Sequence, residues 1–66
     1  MRVERDYSRI RAGVSRHQSG HLVCELSGTN GVLLLTLVAH SKQMGVEEVV
    51  QTALRCLSQK DLRKAV

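Results

Sequence analysis

The sequence predicts an α+β fold: a three-stranded antiparallel β-meander packed by one C-terminal α-helix, in a small domain that self-associates. Three observations predict it. Residues 8–15 and 21–27 alternate apolar and polar side chains, the period of a half-buried strand. Asn30-Gly31 stands between two apolar runs, the strongest short-range signal for a hairpin. Val46, Val49, Val50, Ala53, Leu54 and Leu57 then recur at helical spacing, one continuous apolar stripe.

The elements follow in order. Four of residues 1–6 are charged and the segment reads as a flexible, frayed start, and strands fill residues 7–40. In the first strand Ile10, Ala12 and Val14 share one face, with Arg9, Arg11 and Gly13 on the other. Residues 16–20 are polar and end in Ser19-Gly20, a loop signal. The second strand puts Leu22, Cys24 and Leu26 on one face and His21, Val23 and Glu25 on the other. After the turn at residues 28–31, the third strand covers residues 32–40. Leu33, Leu35, Leu37 and Ala39 fall on one side of it, and Val32, Leu34, Thr36 and Val38 on the other. Both sides are apolar, which reads as a central strand or one covered on both faces.

The helix is expected over residues 45–58, with Glu47 and Glu48 in the first turn where the helix dipole favours negative charge. Ser58-Gln59-Lys60-Asp61 looks like a new helix start, so residues 59–66 read as a further short helix or a frayed tail. No proline interrupts any of this.

A chain of 66 residues buries only about 60% of the surface its unfolded form exposes, so its stability is marginal. Cys24 and Cys56 each lie on an apolar face and read as buried thiols of a reducing compartment rather than a bridge. Self-association is the remaining source of stability. One helix covers one face of a three-stranded sheet, so the face with Val23, Val32, Leu34 and Val38 is the expected oligomer interface, toward a second copy or a partner protein.

The eight-residue apolar run at 32–39 is too short for a bilayer, which needs about 20 residues. No apolar segment follows the N-terminal arginines at signal-peptide distance. The expectation is an intracellular, cytoplasmic protein without membrane contact.

Chemistry is sparse. Glu4, Asp6, Glu25, Glu47, Glu48 and Asp61 include no pair that one element would aim into a cleft, so neither catalysis nor a small-molecule substrate or cofactor is expected. His17-x3-His21-x2-Cys24, with His40 and Cys56, has the residue types of a zinc site. Strand alternation sends His21 and Cys24 to opposite faces, however, and no Cys-x2-Cys pair anchors a site, so no metal is expected.

Charge points elsewhere. The net charge is +4, distributed as +3 over residues 1–20, −1 over 21–41 and +2 over 42–66. Two basic segments flank a nearly neutral middle, a balance suited to a polyanion. Tyr7 is the single aromatic residue, which disfavours binding of single strands by base stacking.

The segment Ser41-Lys42-Gln43-Met44-Gly45-Val46-Glu47-Glu48-Val49-Val50-Gln51-Thr52-Ala53-Leu54 resembles the last helix of the double-stranded RNA-binding domain, which opens Lys-Lys-x-Ala-Lys and continues x-x-Ala-Ala-x-x-Met/Ala-Leu. Leu22-Val23-Cys24-Glu25-Leu26 is similar to that family's second strand, Phe-x-Val-x-Val. Tyr7 and His17 stand near its first-strand tyrosine and the histidine of its Gly-Pro-x-His loop. The likeness runs from Tyr7 to Leu57; the family's first helix has no counterpart, and Gln43 and Val46 replace two motif lysines.

The resemblance implies recognition of A-form duplex RNA, with a loop in the minor groove and the helix N-terminus on phosphates across the major groove. It makes Lys42 the phosphate clamp and His17 the loop contact, with Arg9, Arg11 and Arg16 adding positive charge. Two alternatives stand beside it. One is a homodimerising interaction module that binds no nucleic acid. The other is a ribbon-helix-helix DNA-binding repressor, which residues 44–55 resemble as a second helix, with residues 21–27 as the ribbon and 31–44 as the first helix.

Overall fold

The computed structural model describes residues 2–64, with side chains described for residues 2–59. Four antiparallel strands form one sheet in chain order: β1 (Arg2–Asp6), β2 (Ile10–Arg16), β3 (Leu22–Gly28) and β4 (Leu33–Val38). Helix α1 (Val46–Lys64) closes one face. The α+β class, the antiparallel meander and the C-terminal helix agree with the sequence reading. Among the described residues no helix is long and apolar enough to cross a membrane.

The strand count differs from expectation. Residues 2–6 form β1, paired along its whole length with β2 from Arg2↔Ser15 to Asp6↔Arg11, where a frayed start was expected. Only Val3 of this strand is partly buried and apolar. Charge supports the rest: Arg5 Nε donates to Glu47 Oε1 of the helix at 3.0 Å, and Arg11 Nε to Asp6 Oδ1 at 2.9 Å. Paired charges of this kind hold an edge strand in place and blunt its edge against other chains.

Two hairpins share one loop design. Gly28 N–H donates to Val32 O and Gly31 N–H to Gly28 O, while Gly31 alone takes positive φ, +83°. The β2–β3 loop repeats this: His17 N–H donates to His21 O, Gly20 N–H to His17 O, and Gly20 has φ +93°. Each is a three-residue loop whose last residue must be left-handed, which glycine supplies without a steric penalty.

The core lies between α1 and the facing side of β2–β4. Ala12 and Val14 of β2 meet Leu22, Cys24 and Leu26 of β3 beneath Val49, Val50, Ala53 and Leu57 of the helix. Each fully buried Leu or Val contributes roughly 1.5–3 kcal/mol, and no aromatic side chain adds to this small core. The helix begins at Gly45, whose carbonyl accepts from Val49 N–H at 3.0 Å. It runs without a break to Lys64, so Ser58 starts no new helix; residues 65–66 lie outside the described residues.

The most consequential difference is β4. It is an edge strand, paired only with β3, where a central or doubly covered strand was expected. None of its six residues is fully buried. Its register also breaks: Leu26 pairs with Leu35 but Ser27 with Leu33, leaving Leu34 as an extra residue. This bulge reverses the alternation, so Leu33 joins Leu34 on the open face instead of Leu35 and Leu37 under the helix.

Candidate nucleic-acid interface

An antiparallel meander sends alternate connections to opposite ends of its sheet. The β2–β3 loop (residues 17–21) and the β4–α1 connection (residues 39–45) therefore share one end, beside the start of α1. The first brings His17 and His21 next to Arg16, and the second brings His40 and Lys42. Residues 16–21 and 39–45 contain no carboxylate. Neither Arg16 nor Lys42 forms an ion pair with a described residue.

The loop geometry fixes several of these groups. Arg16 Nη1 donates to Gly20 O at 2.7 Å, folding the guanidinium over its own loop and leaving its other N–H groups available. Ser19 N–H donates to His17 Nδ1 at 3.1 Å, so the proton of the neutral ring sits on Nε2. Ser19 Oγ also hydrogen-bonds His21 Nδ1 at 3.0 Å, in a direction that follows that ring's tautomer. The His17 ring presents Nε2–H as a donor. Lys42 joins the two loops: its Cδ and Cε lie 3.4 Å from where a Cβ on Gly20 would stand. The missing side chain at Gly20 leaves a track for the lysine stem, which carries the ammonium toward the β2–β3 loop.

Three of the five residues expected to contact nucleic acid thus come together: Arg16, His17 and Lys42. Arg9 and Arg11 do not join them. They sit in and beside the β1–β2 turn, the length of β2 away, about 20 Å. Arg11 is also engaged by Asp6, whose hydrogen bond and charge, with that of Glu4, raise its pKa. His21 and His40 escaped the sequence reading of this site. Their places next to strand ends, on the same side of the meander as His17, were the available signal.

Of the four residues expected at an oligomer interface, Val23, Leu34 and Val38 share the open face of β3 and β4; the bulge puts Leu33 there in place of Val32, which precedes β4 and alternates to the other side. Among the described residues no group of three or more His, Cys, Asp and Glu side chains is placed to hold a metal. Cys24 is buried within the core, and Cys56 is half-buried on the helix; both are free thiols. A shallow cavity of about 290 Å³, lined by Asp6, Tyr7, Ile10, Arg11 and Gly28 among others, lies at the opposite end of the sheet from the basic loops. Residues 31–44, which a ribbon-helix-helix arrangement would use as a helix, hold β4 and its flanking loops.

Compared with known proteins, the chain matches no family model, no curated protein and no solved structure.

Proposed function

We propose that this chain is a non-catalytic nucleic-acid-binding module that recognises duplex RNA by shape, through the basic loop end of its sheet. The observation that carries the reading is the meeting of Arg16, His17, His21, His40 and Lys42 on two adjacent loops without a carboxylate. Lys42 and Arg16 supply permanent charge for phosphates. The His17 Nε2–H supplies a short-range donor suited to 2′-hydroxyl or phosphate oxygens. A loop and a helix start on one end of an antiparallel sheet is also the arrangement that the double-stranded RNA-binding resemblance implies. Tyr7, the single aromatic, sits beside the β1–β2 turn, so no aromatic platform faces this end for stacking single-stranded bases.

The test is fluorescence anisotropy with a duplex RNA of about 20 base pairs and the matching duplex DNA, at low and physiological salt. Preference for RNA that survives physiological salt supports the proposal. Equal, salt-fragile binding to both duplexes rejects it, because a net charge of +4 alone attracts any polyanion. Self-association draws on a different surface, the uncovered face of β4, and does not compete with RNA for the basic end.

A further inference from the structure

We infer that two copies of this chain pack together through the open faces of their sheets, along the apolar strip of β3 and β4. Helix α1 covers only one side of the sheet. The register assigns the other side Arg2, Glu4 and Asp6 of β1, Arg11, Gly13 and Ser15 of β2, Val23, Glu25 and Ser27 of β3, and Leu33, Leu34, Thr36 and Val38 of β4. On the β1 side this face is ion-paired, through Arg2, Glu4, Asp6, Arg11 and Glu25; on the β4 side Val23, Leu33, Leu34 and Val38 are apolar. Leu33, Leu34 and Val38 are 55%, 38% and 59% exposed, and they lie along one edge. Contiguous apolar surface of a few hundred Å² usually marks an interaction site.

Two observations select a second copy as the occupant. The chain carries +4, yet the open face carries Arg2 and Arg11 against Glu4, Asp6 and Glu25, a balance of −1. Two copies therefore approach through this face without meeting the net positive charge, which lies outside it. A polyanion, by contrast, finds no purchase there. The two sheet edges are also treated differently: β1 is guarded by four charged residues of its five, whereas β4, Leu-Leu-Leu-Thr-Leu-Val, has none. An unguarded apolar edge is a docking surface that a chain ordinarily suppresses.

Area sets the strength. Four strands about 4.8 Å apart and roughly 20 Å long give a face of about 400 Å² in projection per copy. Even complete coverage of both faces gives about 800 Å² in total, below the roughly 1,200–2,000 Å² of stable specific interfaces. The dimer is thus a weak, reversible one, formed as concentration rises, with aligned sheets about 10 Å apart.

Sedimentation equilibrium over a concentration series tests this, with circular dichroism as the control for folding. The wild-type chain should move from its monomer mass of 7.3 kDa toward twice that value as concentration increases. Val38→Glu and Leu33→Lys, each at a largely exposed position the fold does not depend on, should keep the wild-type spectrum and stay at monomer mass throughout. Lys42→Glu, on the basic end, should dimerise as the wild type does. A wild-type mass that stays at 7.3 kDa into the millimolar range overturns the inference. So does a dimer that persists in both folded variants, which would place the contact elsewhere. RNA affinity is read by anisotropy on the same variants, so a failure of dimerisation and a failure of RNA binding are told apart.

Discussion

The guanidinium of Arg2 lies over Gly13, in the space a Cβ on that residue would fill, and from there approaches Glu4 at 3.5 Å and Glu25 at 3.6 Å. Gly13 is buried as a result, although it points to the side of the sheet that the helix leaves open. Three strands are joined by one flexible cation. Gly13→Ala should displace that cation, because the neighbour in its way is the mobile end of a side chain. The ion pairs are half exposed and worth at most about 1 kcal/mol together. A strand residue with fewer unfolded states than glycine returns roughly 0.4–1 kcal/mol. Urea denaturation should therefore find Gly13→Ala within about 0.5 kcal/mol of wild type, and the difference should shift in its favour at high salt.

Gly20 and Gly31 offer a matched pair. Both take positive φ, and alanine at either should cost about 1–2 kcal/mol of stability for the left-handed backbone. At Gly31 nothing lies within 4 Å of the added carbon, whereas at Gly20 it crowds the stem of Lys42. Equal losses in melting midpoint are expected, but only Gly20→Ala should also weaken RNA binding in anisotropy titrations. An equal effect of both on RNA affinity would remove Lys42 from the site.

Lys42→Gln and Arg16→Gln should each reduce RNA affinity several-fold and lower the slope of log affinity against log salt by about 1. Arg11→Gln, whose charge is already matched by Asp6, should change both quantities much less. Anisotropy at four or five salt concentrations separates the two behaviours.

The core has little to spare. Leu26 and Val49 are fully buried, and Leu26→Ala should cost about 2–5 kcal/mol. At roughly 0.05–0.15 kcal/mol per residue, that is a large part of the total for a chain of this length. Most Leu26→Ala protein is expected to be unfolded at 37 °C by circular dichroism.

Cys24 gives a signal at high pH. Burial, and then the charge of Glu25, raises its pKa above the ordinary 9.0. The thiol ionises first in the unfolded chain, so the folded state binds more protons there and stability falls as pH climbs past about 9. Cys24→Ala should flatten that decline in urea titrations between about pH 8 and 10. In the native protein a thiol reagent should modify half-buried Cys56 well before Cys24.

Alternation made β2 and β3 legible in the sequence, and helical spacing did the same for α1, because each has one face packed on the core. β1 was hidden: Arg-Val-Glu-Arg-Asp has one apolar residue, and Tyr7-Ser8-Arg9-Ile10 carries no turn signal. Its stability comes from charges on other elements, which a local pattern does not reveal. β4 was found but misplaced, since apolar residues on both faces describe a strand between two layers as well as one waiting for a partner. The bulge at Leu34 left no mark of its own in so uniform a run. His17 and Lys42 were grouped on the double-stranded RNA-binding resemblance, and the strand order does send their loops, with Arg16, to one end. Arg9 and Arg11 were grouped with them on charge alone, which takes no account of the strand between.

Each strand pairs only with its neighbour in the chain, and the hairpin loops are short. The search that precedes folding is accordingly brief. No strand must wait for a distant one before it can find its place, and the sheet can close outward from the central β2–β3 hairpin. Strand pairing between chain neighbours speeds folding, and the helix then closes on β2–β4 from farther along the chain. A protein with so thin a core is therefore protected by speed of return: when it opens, it spends little time with the buried Leu22, Cys24 and Leu26 of β3 exposed to other unfolded chains.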